Sequence, residues 1–566
     1  MKMAKLGILF DEYEAELKWS TGENLFENYL FEIIDRFRIP YEKVGILEDF
    51  NTFDVLIVLQ CSGGVEVAKK ILEYVHSGGT IISYAGLENA REILGFAKTE
   101  VLEKGYANLA CFFNQNVPLR FLHAEPWESE NNSSKVTDIG FLNEKIEGKR
   151  LSALQRINHG KGVLDRWTVA IPKSIVYLQQ GTQPVNKDGI PAPDGSANLD
   201  ENILKAEDGF ELDWDKDRTY TETGMPYFPY PYADLWKEVI VEHLFKCVIE
   251  KGLTLPFVDF WPTDVKYIAT ISHDSDLNVD ESAQITLDTL KSENVQTTWC
   301  MIAPGYDSLI YEQIKSDGHE IAFHYNALEQ ENGVWSEEAF KSQLEWIKNS
   351  TSTEDIISNK NHYTRFEGWG ELYSWCEKNG IQVDQTRGPS KKGNIGFLFG
   401  TCHPYFPIAL ADEKNRLYDV LEIGFLTQDL NHNTLSDSSV IQPFLDGVKS
   451  VNGVAHFLFH QFHIYNQPKV REALLQLITS AKSQGFTFWT SRQINDWERE
   501  RRKLSITGIS GSGQIEITGL VGRNDFVLLV PFEEDKNLDI NQGETVTRFG
   551  FKCKQIFNSS NVLEEA

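Results

Sequence analysis

The sequence predicts a multi-domain α/β chain, with a central (β/α) barrel, a smaller parallel α/β unit before it, and β-rich segments on both sides. Three observations predict this. Between residues 265 and 497, short apolar runs alternate with stretches of helical spacing, the pattern of repeated β-α units. The polar, chemistry-bearing residues of that block fall just after the apolar runs, where such a barrel presents the C-terminal ends of its strands. At 566 residues the chain is also too long for one ordinary domain.

The elements follow in order. Residues 5–10, 53–59 and 80–85 read as strands and 23–37 and 65–75 as helices, so 1–107 is expected to be a flavodoxin-like or amidotransferase-like α/β domain. Cys61 follows a strand in Gln-Cys-Ser-Gly-Gly, but no His/Glu pair follows at a recognisable place, so it reads as a loop residue. Residues 108–250 read as a β-rich segment, with alternating runs at 119–123, 167–171 and 174–179 and a long insertion over 181–200. The run Met-Pro-Tyr-Phe-Pro-Tyr-Pro-Tyr over 225–232 reads either as packing between domains or as a wall for a sugar, whose C–H faces pack on rings. A helix over 233–251 then leads into the barrel, 251–503. Its strands are expected at 267–272, 296–302, 320–323, 355–359, 381–383, 397–399, 420–425, 454–459 and 486–489. Residues 491–503 form a charged helix, and 504–566 read as a small C-terminal β domain.

Composition narrows the function. A formal net charge of −29 argues against nucleic acid and against an anionic membrane surface as partners, and it is compatible with a neutral carbohydrate. The first apolar run is too short for a signal peptide and is broken by Asp11, Glu12 and Glu14; no stretch approaches a membrane span. The seven cysteines are scattered singly, without a CxxC, as reduced core residues would be. The expectation is a cytoplasmic protein.

The chemistry concentrates in the barrel block. Asp274 and Asp276 close a β-prone run in Ile-Ser-His-Asp-Ser-Asp, and residues i and i+2 of a strand share a face. Two unpaired carboxylates there repel, so a cation or a shared proton is implied. Nine of the thirteen histidines lie between His273 and His463, most of them at predicted strand ends. Imidazole and carboxylate together are a common ligand set for catalytic zinc, with a position left for water.

The order Asp-x-Asp, then Gly-His-Glu-Ile-x-x-His over 318–324, then His-Tyr-x-Arg over 362–365, then a Leu-Phe-His strand end near His460 resembles the polysaccharide deacetylase (NodB-homology) superfamily, carbohydrate esterase family 4. The branch resembled is the one whose Asp pair is spread to Asp-x-Asp, and the resemblance covers about 265–497. It implies a distorted barrel, a divalent metal (zinc in the first place), and hydrolysis of the acetamide of an N-acetylated sugar or polysaccharide precursor. By the same resemblance Asp274 is the catalytic base, Asp276 and His324 are metal ligands, Arg365 orients the base, His460 protonates the leaving amine and Asp384 tunes His460. Four residues after His324, where the family carries a second His ligand, stands Leu328. His362 is the candidate replacement, with His273 and His463 behind it; His319 is expected to pack or cap. Two other readings stay open: a glycan-binding or assembly protein that keeps the barrel without catalysis, and a hydrolase of another non-peptide C–N bond.

Overall fold

The computed structural model describes residues 2–60, 64–110, 112–129, 135–146, 148–199, 203–432, 435–511, 513–519, 523, 525–533 and 544–557; Cys61 lies outside them. The chain is a mixed α/β structure built on two large sheets. In the central sheet Tyr267–Asp274, Thr298–Met301, Glu320–Tyr325, Ser358–Asn361, Val383–Asp384 and Leu421–Glu422 lie side by side in chain order, each parallel to the next. On the other side Val454–His460 pairs with Tyr267–Asp274, and Thr427–Gln428 pairs with Val454–His460, both again parallel. The two ends of the sheet are thus joined by residues 423–426 alone, so the sheet must curl into a distorted barrel. Phe486–Phe488 adds to the first half of Tyr267–Asp274.

These strands form where the apolar runs predict because both their faces are covered. Every residue of Glu320–Tyr325 is buried, as is Tyr267–Asp274 after its first residue. Local signals set the helices outside. The Asp307 side chain accepts the Leu309 N–H at 3.0 Å to start Ser308–Ser316, and Thr490 and Gln493 form a capping box on Ser491–Arg502.

The second large sheet runs through residue 108 without a break. Glu42–Val44, Leu6–Phe10, Val55–Gln60 and Thr80–Tyr84 are parallel neighbours, and Gly162–Trp167 joins them in parallel beside Thr80–Tyr84. Lys149–His159, Val136–Ile146, Gly105–Asn108 and Leu119–Phe121 continue the sheet in antiparallel order. The change of sequence character at 108 is a change of pairing direction inside one sheet. Gly162 is required at the joint, because a Cβ there would lie 2.2 Å from the Gly79 carbonyl oxygen.

Four expected strands come out differently. Residues 167–171 run only from the last residue of Gly162–Trp167 to the first of the helix Ile171–Gln180. Residues 174–179 belong to the helix Ile171–Gln180, which is buried nearly all round and so shows no polar face, with Pro172 in its first turn. Residues 397–399 form a turn, Gly400 N–H to Phe397 C=O, rather than a strand. Residues 420–425 divide, supplying Leu421–Glu422 and then the connection that closes the barrel. After the barrel, Val527–Phe532, Phe551–Phe557 and Thr545–Arg548 form an antiparallel sheet with Phe257–Val258, and Ser505–Ile509 pairs with Ile515–Thr518. A buried charge network, Arg502 with Glu32 and Glu498 and Arg36 with Glu498, ties the last barrel helix to the N-terminal unit. Among the described residues no helix is long and apolar enough to cross a membrane.

Candidate metal centre

The C-terminal ends of four barrel strands converge on one cavity of about 230 Å³, lined among others by Asp274, Asp276, His362, Tyr363, His460 and His463. Strand register places the polar groups at one level. Asp274 lies opposite His460 across one pair of strands, and His324 opposite Lys360 across another. His362 starts a tight turn just past Ser358–Asn361, in which Tyr363 and Thr364 both hold positive φ, 56° and 54°. Such backbone is costly for non-glycine residues and is tolerated where the surroundings dictate it, often at a functional site.

Asp276, His324 and His362 meet here. His324 Nε2 is 3.2 Å from Asp276 Oδ1 and 3.2 Å from His362 Nδ1, and His362 Nδ1 is 3.3 Å from Asp276 Oδ1. The other nitrogen of each ring fixes its tautomer. His324 Nδ1–H donates to the Lys360 carbonyl at 2.8 Å, and His362 Nε2–H faces Glu331 Oε2 at 3.2 Å. Each ring therefore turns a lone pair inward, toward a carboxylate oxygen. A triangle of 3.2–3.3 Å edges is one face of a tetrahedron whose centre lies about 2.0 Å from each corner, the distance zinc keeps to nitrogen and oxygen ligands. The donor set fits a divalent cation. Protons compete for the same cradle. Burial opposes charge on His362, but Asp276 outweighs it and raises its pKa; burial likewise opposes charge on Asp276, yet His460, His324 and His362 hold its pKa well below the usual range.

Two other clusters of ligand-type residues fail the tautomer test. Asp165, His243 and Cys247 are grouped and buried beneath the N-terminal sheet. There Trp167 Nε1–H donates to His243 Nδ1 at 3.0 Å, so His243 Nε2 carries the proton and donates to Asp165 at 3.0 Å, leaving no lone pair for a metal. In the group Asp429, His460 and His463, Asp429 already accepts the His460 backbone N–H at 2.8 Å and its ring Nδ1–H.

Asp274 and His460 stand beside the cradle, each with a partner that the sequence did not point to. Lys360, fully buried, places Nζ 3.4 Å from Asp274 Oδ1. It also donates to Ser272 Oγ, which donates in turn to His456 Nε2 at 2.8 Å, while His456 Nδ1–H bonds the Ile423 carbonyl at 2.9 Å. His460 is backed by Asp429, and its Nε2 is 3.3 Å from Asp276 Oδ2. Burial works against an imidazolium there, but the Asp429 and Asp276 carboxylates outweigh it, and the His460 pKa is raised well above its ordinary value.

The structure places the other expected residues elsewhere. Arg365 does not reach Asp274; it pairs with Glu367 at 2.9 Å and holds the Ala327 carbonyl, next to Leu328. Asp384 does not reach His460. It accepts from Asn359 at 2.8 Å and Thr386 at 2.9 Å, and burial raises its pKa against those bonds. His273 faces the core, with Nδ1 on the Phe459 carbonyl at 3.1 Å, and burial pushes its pKa down to about 3. His319 packs against Thr297, whose N–H it accepts at 3.0 Å. His463 lines the cavity and stacks on His432, ring centroids 3.8 Å apart, without joining the cradle. Leu328 opens a short turn, Glu329–Glu331, that delivers Glu331 to His362.

Fold and site together are those of a curled parallel α/β barrel with a His/His/Asp cradle at its mouth, and the structural neighbours of the chain include carbohydrate deacetylases. Agd3, a novel carbohydrate deacetylase, is 10% identical over 99% of this chain and 98% of its own, with a TM-score of 0.37. The Xyl-CE4 domain of a multidomain xylanase from the hindgut metagenome of Trinervitermes trinervoides is 18% identical over 41% of this chain and 92% of its own, with a TM-score of 0.26. A β-galactosidase from Bacillus circulans sp. alkalophilus is 14% identical over 30% of this chain, with a TM-score of 0.24, and only 28% of that longer chain is spanned. No family model matches the chain, and no curated protein does. At these identities and TM-scores, any reading of the site rests on its own side chains.

Proposed function

We propose that the barrel is a metal-dependent deacetylase, with zinc as its cation, that hydrolyses the acetamide of an N-acetylated sugar or polysaccharide precursor. The observation that carries this is the convergence of three inward lone pairs, on Asp276, His324 and His362, between a carboxylate and an imidazolium. A bound divalent cation would polarise the acetamide carbonyl and acidify the attacking water. Asp274, held by Lys360, takes the water proton. His460, kept protonated by Asp429, gives its Nε2 proton to the departing amine nitrogen, without which the amine is a poor leaving group. Tyr363, half exposed at the rim, offers a ring to the sugar face.

Metal analysis with acetate release tests this. Near-stoichiometric zinc is expected in the purified protein, lost in His324→Ala and in His362→Ala. Acetate release from a panel of N-acetylhexosamines is expected, and its loss in Asp274→Asn. Protein without metal that still binds glycan would overturn the reading in favour of a non-catalytic barrel.

A further inference from the structure

A second cavity, of about 820 Å³, lies between the aromatic-proline run and the helix Ile441–Val451. It shares no lining residue with the catalytic cavity. Part of its lining, Gly447 and Ser450, sits beside the N-terminal end of Val454–His460, and the length of that strand, ~20 Å, separates it from His460.

The lining mixes ring faces with some polar groups that have no partner among the described residues. Tyr230 is 38% exposed, and its hydroxyl makes no hydrogen bond among the described residues; Tyr227 and Pro229 continue the wall. Gln115 is only 6% exposed, yet its side-chain amide has no partner among the described residues. Glu238 buries Oε1 without a hydrogen-bond partner among the described residues, and burial raises its pKa well above the ordinary value. Buried polar groups in folded proteins are normally paired, so an amide and a carboxyl left open at one cavity point to a ligand that completes them. A pyranose does so, presenting an apolar C–H face to the rings and hydroxyls to the amide and carboxyl.

We propose that this cavity is a non-catalytic site for a neutral glycan, holding a sugar unit or two of a polymer while the barrel mouth acts on another stretch. The action of the barrel mouth on another stretch and the choice of an N-acetylated probe rest on the deacetylase reading; the binding site itself does not. The test is calorimetric titration of the full chain, in an Asp274→Asn background that prevents turnover, with the N-acetylglucosamine tetramer and with cellotetraose. Tyr230→Ala is expected to weaken binding of at least one tetramer tenfold or more, with Gln115→Leu acting in the same direction. In the otherwise wild-type chain, Tyr230→Ala is expected to leave acetate release from a monomeric N-acetylhexosamine unchanged. Isotherms that superimpose with and without both substitutions, or no binding of either tetramer, would overturn the proposal. Tyr230-dependent binding in a protein that releases no acetate would overturn the deacetylase reading and leave this one standing.

Discussion

Lys360→Met isolates the group paired with Asp274. Lys360 Nζ lies 3.4 Å from Asp274 Oδ1, and both side chains are buried. At an effective dielectric of about 20, a charge pair at that separation is worth ~5 kcal/mol, and removing one member of a buried pair costs about 3–5 kcal/mol. Carried into the transition state, this is a fall in kcat of ~10²–10⁴-fold. The assay is initial-rate acetate release, with zinc content and melting temperature measured on the same sample. Lys360 touches none of the inward-facing ligand atoms, since its contact with His324 is through its carbonyl, so zinc is expected to stay bound. A folded, zinc-loaded Lys360→Met protein with kcat within about threefold of wild type would refute the assignment of Lys360 as the partner of the base.

Asp429→Asn is expected to lower kcat by about 10²–10⁴-fold, the range of general acid catalysis, with zinc retained, because it removes the carboxylate behind His460. Glu331→Gln is expected to weaken zinc binding about 10–100-fold, read by competition with a chelator, because it loosens the tautomer lock on His362. His403 supplies a pH dependence of stability. Burial pushes its pKa from 6.5 to about 3, with Arg36 and Lys237 adding to burial and Asp234 opposing it. Between those values the unfolded chain binds a proton that the folded chain refuses, so stability falls as the pH drops from about 6.5 toward 3, by up to ~5 kcal/mol. Thermal unfolding from pH 7 to 4 is expected to show a smaller acid-dependent loss in His403→Gln than in wild type.

The barrel was legible because its strands are buried on both faces and its site residues are the polar punctuation at their ends. The route by which His362 reaches the cradle was legible as a neighbouring strand end. Lys360 was not, because the strand expected at 355–359 stops one residue short of it, and the polar run Ser-Asn-Lys-Asn gives no signal to continue; pairing on both sides carries the strand through Asn361. Asp429 was missed because Thr427–Gln428, the strand that positions it, is too short to give a period-2 signal. Arg365 and Asp384 were carried over by motif order, and motif order does not specify which way a side chain leaves its turn. The join between the parallel and antiparallel halves of the N-terminal sheet depends on residues 162–167 returning beside residues 80–84, a contact that no local pattern announces.

An open parallel sheet has two naked edges, each a row of unpaired N–H and C=O groups able to recruit a strand from another molecule. Here both edges belong to one short stretch, 421–428, and its intervening backbone is spoken for. Ile423 N–H bonds Asp384 C=O, Phe425 N–H bonds Arg387 C=O, and Leu426 N–H bonds His456 C=O. The same few residues therefore act as a hem that keeps the largest parallel sheet of the chain from offering a template for self-association, while its mouth stays open to a substrate.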